Sequence, residues 1–232
     1  KTNTPSFHTN RFAMIHKTIL LTGFLFAFGI LSAQKLSLGI RIGYTLSNVT
    51  VKVSSGSIDV PYGTLGSLHA GVDARISLTE RLAIVSGLQY ARKGHKGEIP
   101  QPNGSVASAT NELHYINLPI VADVRLWKGL SLQGGIEAGS LLGAYTKAAG
   151  EKVDNKRLYE DFDFGLVGGI EYRFNDAFFI GARHILGVSS IQQIEFTDDN
   201  GTSLGKGSSR NQATQISAGY RYTFGGQGTV LE

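Results

Sequence analysis

The chain has 232 residues, of which 41% are hydrophobic and 17% are charged, and its formal net charge is +4. It contains no cysteine, which excludes disulfide bonds and thiolate metal sites. Three of the four net positive charges come from the first 33 residues, which hold three basic residues and no acidic one. The rest of the chain contains 19 of the 22 basic residues and all 18 acidic residues. This balance argues against a nucleic-acid partner.

The segment Met14–Gln34 has the order of a secretory signal peptide. A short basic start precedes the uncharged apolar run Ile19–Leu31, and small residues follow up to Ala33. The run is short for a spanning helix, so an uncleaved anchor is the weaker alternative. We expect cleavage after Ala33. The predicted organisation is an upstream extension plus cleaved signal peptide at 1–33, one folded domain at 34–224 and a C-terminal tail at 225–232.

Eight later segments alternate apolar and polar residues with the period of two that is typical of β-strands. In chain order they cover about 36–45, 68–78, 82–91, 115–126, 130–142, 161–174, 178–188 and 215–224. Several reach the ten or so residues that a tilted strand needs to cross a bilayer. Pro119 lacks an N–H and predicts a bulge or an edge in the fourth segment. The alternation of the fifth segment blurs after Ser140.

Long and short connections alternate along the chain. Tight turns follow the second, fourth and sixth segments, and long loops are predicted at about 47–63, 94–109, 147–160 and 190–211. An up-and-down barrel places such alternate connections on opposite rims, with long external loops and short periplasmic turns. The sequence therefore predicts an all-β fold, an eight-stranded antiparallel up-and-down transmembrane β-barrel.

The polar face of these segments is charged, and its charges nearly cancel. A soluble lipocalin-like ligand-binding barrel, which is the alternative fold, would need an apolar interior. A membrane barrel instead turns the apolar face to lipid and the polar face to the lumen. We expect a structural network of paired charges that fills the lumen. Its predicted members are Arg41, Asp73, Arg75, Asp123, Arg125, Glu137, Asp163, Glu171, Arg173, Arg183 and Arg221.

Aromatic residues cluster near both ends of the predicted strands. Two aromatic girdles are typical of a barrel that meets both interfaces of a bilayer. The predicted girdle residues are Tyr44, Tyr90, Trp127, Tyr145, Phe174, Phe178, Tyr222 and Phe224.

Four histidines are the candidates for catalysis: His69, His95, His114 and His184. Ser67, Asp73 and Glu112 lie at modest sequence separation from them. No nucleophile elbow and no metal-ligand spacing is present. We therefore expect a non-enzymatic protein without a cofactor or metal, and an outer-membrane enzyme is the less favoured alternative.

Six motifs together resemble the PorT-like outer-membrane β-barrel proteins of Gram-negative bacteria. They are GIRIGYTLSNV, SGLQYARKG, LHYINLPIVADVRL, GGIEAGSLLGA, DFGLVGGIEYRF and the closing GYRYTF. The resemblance covers about residues 34–224. It implies export to the outer membrane, contact with outer-membrane lipid and insertion by the barrel-assembly machinery. The name-giving member of that family is associated with a secretion and gliding apparatus. The segment GGQGTVLE after Phe224 departs from barrels that end on the last aromatic residue.

The predicted long loops carry most of the variable polar surface. Because recognition often lies in loops on a rigid scaffold, we expect a structural, surface-binding or secretion-related role there, with a protein or glycan partner. The alternative is that the loops are only solvated. Their charges have mixed sign: Lys96, Glu98, Lys152, Asp154, Lys156, Arg157, Asp198 and Asp199.

Overall fold

The computed structural model describes residues 35–53, 56–58, 62–100, 106–175, 177–197 and 203–224. The predicted signal peptide, the C-terminal tail, Asp198 and Asp199 lie outside these ranges. Within the described part of the chain, no helix is long and apolar enough to span a bilayer.

The described residues form β-strands and a one-turn 3-10 helix, Lys156–Leu158. The strands are β1 (Lys35–Val53), β2 (Gly56–Ile58), β3 (Gly63–Ser77), β4 (Leu82–Pro100), β5 (Val106–Arg125), β6 (Leu130–Ala148), β7 (Glu151–Asp154), β8 (Phe162–Arg173), β9 (Phe178–Gly187), β10 (Gln192–Thr197) and β11 (Ser203–Thr223).

Eight of these strands close into a ring, which confirms the predicted fold class. Neighbours follow the order β1, β3, β4, β5, β6, β8, β9 and β11, and β11 pairs with β1. The closing ladder is antiparallel and runs from Ser37 opposite Thr223 to Val53 opposite Gly207. The short strands β2, β7 and β10 form hairpin arms on β1, β6 and β11.

Three tight turns join β3 to β4, β5 to β6 and β8 to β9, where the sequence predicts them. The Thr79 hydroxyl accepts the N–H of Leu82 at 2.9 Å, and the Asn175 side-chain oxygen accepts the N–H of Phe178 at 2.8 Å. Gly129 takes φ +76 in the middle turn, a value that favours glycine. These side-chain bonds replace backbone pairing where the chain reverses.

The predicted boundaries of the long loops are wrong, because strands occupy much of those segments. β4 runs to Pro100 and β5 begins at Val106, both inside the predicted loop 94–109. β1 likewise runs to Val53, and β11 begins at Ser203. Above the predicted strand ends the inward positions become apolar and the outward positions polar. A search for an apolar outward face therefore stops too early.

Pro119 produces neither the predicted bulge nor an edge. β5 pairs with strands on both sides, and Pro119 lies opposite Glu137 of β6. The β4–β5 ladder keeps one register throughout, but its pairs omit Gly87 and Leu88, which come opposite Pro119 and Leu118. The missing N–H thus interrupts the ladder and does not shift it.

The outer surface of the ring is apolar, as the alternation predicts. Ile40, Leu68 and Ile216 are each more than 60% exposed, whereas Arg41 and Glu171 are buried inside. Gly39 lies between Leu38 and Ile40 and faces the lumen. A Cβ atom added to Gly39 would lie only 2.7 Å from an Asp73 side-chain oxygen. The small inward residues thus leave room for the long charged side chains of neighbouring strands.

Candidate functional site

The lumen contains a cluster of ion pairs contributed by four strands. Glu171 of β8 lies 3.1 Å from Arg41 of β1 and 2.9 Å from Arg221 of β11. Asp73 of β3 contacts the same two guanidinium groups at 3.1 and 3.2 Å. The Phe179 ring packs under both, with guanidinium carbons 4.7 and 4.2 Å from its centroid. Two arginines and two carboxylates thus neutralise one another across the barrel.

A second set of contacts extends this cluster toward the short turns. Asp123 lies 2.7 Å from Arg75 and accepts a 2.9 Å hydrogen bond from Gln133. Gln133 in turn accepts a 2.7 Å bond from Arg183 and donates to Glu171 at 3.2 Å. One neutral amide therefore bridges the two sets of charges.

A third set lies nearer the loop side, around a lysine that the sequence analysis missed. Lys93 is buried and contacts Glu137 at 3.0 Å and Asp163 at 3.2 Å. Asn211 also donates to Asp163, at 2.9 Å. The Lys93 ammonium lies 5.2 Å from the centroid of the Tyr115 ring. Lys93 follows the predicted end of its strand by two residues, so continuing the same alternation would have placed it in the lumen.

Two predicted members of the lumen network lie at its edge. Arg125, the last residue of β5, is exposed on the short-turn rim and does not join the buried network. Arg173 is partly buried there, 3.5 Å from the Ser131 hydroxyl. The other nine predicted residues have the buried positions described above. A cavity of about 10 Å³ bounded by Arg41 and Arg183 has room for roughly one water molecule.

The predicted girdle residues lie on the outer surface at two levels. At the short-turn level, ring pairs meet edge to face: Phe174 with Tyr172 at 5.2 Å and Phe224 with Tyr222 at 4.9 Å. The members of this level are Trp127, Phe174, Phe178, Tyr222 and Phe224. At the loop level, Tyr44 and Tyr90 are exposed and Tyr145 is partly buried.

Above the membrane-facing belt the barrel has a small apolar core. Leu113, Leu141 and Ile191 are buried there, and Tyr62 and Tyr159 pack against them. The remaining members are Val49, Tyr115 and Ala144. Burial raises the pKa of Tyr159, with Tyr62 adding to the effect. We call this part of the barrel the extension. Its buried core is apolar, in contrast to the ion pairs in the lumen below.

A β-bulge in β6 explains why its alternation blurs. Tyr115 pairs with Leu141 but His114 pairs with Gly143, so Leu142 is an extra residue. The inward and outward positions are exchanged beyond this point. Tyr145 and Lys147 therefore lie on the outer wall, and an uninterrupted alternation would have placed them inside.

The bulge brings together what we call the outer-wall cluster. Its members are Tyr90, Arg92, Glu112, His114, Tyr145, Lys147 and Lys152. Glu112 lies 3.1 Å from Arg92 and 2.9 Å from Lys147, and the Lys152 ammonium lies 3.7 Å from the Tyr145 ring centroid. Partial burial alone raises the pKa of Glu112, but the Lys147 hydrogen bond and the Arg92 charge outweigh it and hold that pKa below its usual value.

The four candidate histidines are not brought together. His69 bonds to Thr45 at 2.9 Å, and His184 bonds to Thr214 at the same distance. His95 bonds to Asn111 at 3.0 Å, and His114 bonds to Tyr90 at 2.6 Å. Ser67 donates to the carbonyl of Arg92. The described residues contain no group of three or more histidines and carboxylates that could hold a metal ion.

A closed ring of eight antiparallel strands, an apolar belt outside and buried ion pairs inside define an integral transmembrane β-barrel. Residues 32–193 match the family described as outer membrane protein beta-barrel domain. The chain therefore belongs to that family, which places it in the bacterial outer membrane. No individual curated protein matches the chain in sequence.

Several solved structures of outer-membrane barrels are similar to this chain. Ail, the attachment invasion locus protein of Yersinia pestis, is 16% identical with a TM-score of 0.43, covering 81% of this chain and 99% of its own. The Neisserial surface protein NspA is 12% identical with a TM-score of 0.44, covering 81% and 97%. OprG from Pseudomonas aeruginosa is 12% identical with a TM-score of 0.40, covering 80% and 95%.

Proposed function

We propose that this protein is a non-enzymatic outer-membrane barrel whose extension binds a protein or glycan partner outside the cell. The observation that carries the proposal is the continuation of the ring strands beyond the apolar belt. β4 and β5 stay paired up to Pro100 and Val106, well above Tyr90 on the belt. Paired strands present side chains on a rigid frame, which suits recognition.

The filled lumen supports a binding role over a channel role. Arg41, Lys93 and Glu171 lie across the path and are held by ion pairs from several strands. An eight-stranded ring has an interior just wide enough for side chains. Transport through this lumen would require breaking buried ion pairs, which is costly.

The catalytic alternative has less support. His69 and His95 are buried against hydrogen-bonding neighbours, and His114 and His184 lie on the outer wall. A base for nucleophilic catalysis must lie within hydrogen-bond reach of its nucleophile. Ser67 instead donates to a backbone carbonyl.

We further infer that residues 1–33 are removed on export and that the chain is inserted by the barrel-assembly machinery. The basis is the residue order of Met14–Gln34 and the barrel itself. The PorT-like motifs make a secretion or assembly apparatus the first partner to test. N-terminal sequencing of the outer-membrane form tests the cleavage site, and a form that keeps Ile19–Leu31 contradicts it.

Trimming the extension tests the binding role. Lys96 lies opposite Thr110, so an Asn-Gly turn can replace residues 97–109 and close the β4–β5 hairpin. Gln193 lies opposite Ser208, which allows the same change in the β10–β11 hairpin. Partners are cross-linked on intact cells. We expect the trimmed proteins to fold and to lose partners.

The matched control alters the lumen and leaves the extension unchanged. Glu137→Gln removes one carboxylate beside Lys93 and touches no external residue. If this variant folds but loses the partners while both trimmed proteins keep them, the lumen is the functional site and the proposal is wrong.

A further inference from the structure

We propose that the outer-wall cluster binds the phosphate group of a membrane lipid whose acyl chains lie along the apolar belt below it. The site lies on the outer wall, below the residues 97–109 whose replacement tests partner binding. Its ligand chemistry is a phosphate monoester at the level of the outer-leaflet headgroups.

The position of the cluster fits a headgroup. Along the outward face of β4 the order is Leu88, Tyr90 and Arg92, and Leu88 and Tyr90 are exposed. Arg92 therefore lies two residues, about 7 Å, above the tyrosine ring. Tyrosine rings in barrels mark the interface between acyl chains and headgroups. A cation directly above that level meets lipid phosphates.

The charges of the cluster favour an anion. The cluster has three basic side chains, Arg92, Lys147 and Lys152, and one carboxylate, Glu112. Glu112 contacts the first two, and its side chain is only 6% exposed. Arg92 and Lys147 keep 32% and 46% of their side-chain surface exposed. Both cations carry several N–H donors, so a contact to Glu112 leaves other donors for a ligand. The carboxylate thus holds two cations in place at the surface.

The pairing of β6 with β7 gives a second, independent indication. Lys147 lies directly opposite Lys152 in that ladder. Like charges directly opposite each other destabilise a strand pair. Asp154, on the same face, accepts the backbone N–H of Lys156 at 2.9 Å. A phosphate between the two lysines would relieve their repulsion and accept hydrogen bonds from both.

The local backbone is built to expose these groups. Without the extra residue Leu142, Tyr145 and Lys147 would face the interior. An added Cβ on Gly143 would lie 3.0 Å from the Tyr145 hydroxyl, so the tyrosine packs over this glycine on the outer wall. Bulges that turn a side chain to a new direction occur preferentially next to functional sites.

On β1 and β11, the described outward residues at the same level are neutral. Asn48 of β1 and Gln212 of β11 face each other there, directly above Leu46 and Thr214. Arg210 follows one step higher on β11. On β1 and β11 the apolar belt ends at neutral amide side chains. Cations are therefore not needed to mark the upper edge of the belt, and this includes those of the outer-wall cluster. Arg210 provides a matched control cation.

Lipid binding by variants tests the proposal. The full chain in maltoside micelles is titrated with bis-phosphorylated lipid A, monophosphoryl lipid A and inorganic pyrophosphate, and bound molecules are counted by native mass spectrometry. We expect K147Q/K152Q to weaken lipid A binding by about tenfold or more, because each lost hydrogen bond is charge-assisted. K152Q alone removes an ammonium group that packs on Tyr145 and breaks no ion pair among the described residues, so it tests the site without altering Glu112.

The controls separate charge from fold and lipid from free phosphate. R210Q and K147R/K152R should bind lipid A within twofold of the parent, and monophosphoryl lipid A should bind more weakly than the bis-phosphorylated form. Equal binding by K147Q/K152Q, K152Q and R210Q would overturn the proposal. So would displacement of the lipid by pyrophosphate at the same concentration, because a soluble anion site would not need acyl chains.

Discussion

The part of the barrel within the membrane buries ion pairs in its lumen beside a small apolar cluster that includes Val85 and Val121, whereas the extension above it has an apolar core. In the membrane part, Ile40 and Val72 face outward and Arg41 and Glu171 face the lumen. In the extension, Leu113 is buried and polar side chains face outward. The same strands run through both parts. What changes is the solvent on the outside, which is lipid below and water above.

This difference teaches that the two parts are held together by different interactions. The lumen relies on buried ion pairs, whose loss leaves a charge without compensation. The extension relies on a small apolar core, as a water-soluble domain does. The same kind of substitution should therefore have different effects in the two parts.

The largest effect is expected from the lumen. Glu171→Gln leaves Arg41 and Arg221 with Asp73 as their remaining carboxylate, and should destabilise the barrel by about 3–5 kcal/mol. Reversible unfolding in urea from lipid vesicles measures the change. The control is Asp161→Asn, which removes an exposed partner 3.6 Å from Lys156. A similar loss in both variants would contradict the role of buried pairs.

Next in size is truncation of the extension core. Leu113 and Leu118 lie on one strand, 1% and 42% exposed respectively. Leu113→Ala should cost about 2–5 kcal/mol of local stability, because it leaves a cavity. Leu118→Ala should cost much less, since lipid can fill the space. Hydrogen exchange of the β4–β5 hairpin amides reports the local change. Equal effects would mean that the extension has no core of its own.

An arginine added to the outer surface should cost much more stability in the membrane part than in the extension. Val72→Arg and Ile170→Arg on the membrane-facing belt should each cost about 2–4 kcal/mol if they lie near the midplane. Ser108→Arg introduces the same side chain at an exposed outward position of β5 above the belt, opposite Glu98, and should be nearly neutral. Folding yields into vesicles of defined thickness test this. Equal tolerance at all three positions would reverse the assignment of inside and outside.

The smallest effect concerns pH in the outer-wall cluster. The folded state lowers the pKa of Glu112. Its contribution to stability is therefore present at pH values above the unfolded-state pKa, and it is lost as pH falls through the folded-state pKa. The partners Arg92 and Lys147 are partly exposed, so the loss should be about 1 kcal/mol or less and should shrink with salt. Glu112→Gln should remove this acid sensitivity of the extension. A parent protein whose extension is insensitive to acid down to the lowest folded pH would contradict it.

The sequence by itself determined the ring and its two faces. A period of two from Phe162 to Arg173 assigns every side chain of that strand, because successive residues of a strand point to opposite sides. Charge on one face and apolar residues on the other then decide between a soluble and a membrane barrel. The alternation of tight and long connections adds the up-and-down topology.

The tertiary structure alone decided how far the strands continue and where the register shifts. Val49 and Leu113 are apolar but inward, so their segments resemble loops until the paired strand is known. The alternation of β6 blurs after Ser140, but the position of the extra residue Leu142 depends on how β6 pairs with β5. Lys93 and Glu137 are 44 positions apart and meet because the ring closes on itself. Contacts of this kind depend on shear and closure, which set the heights at which distant strands meet.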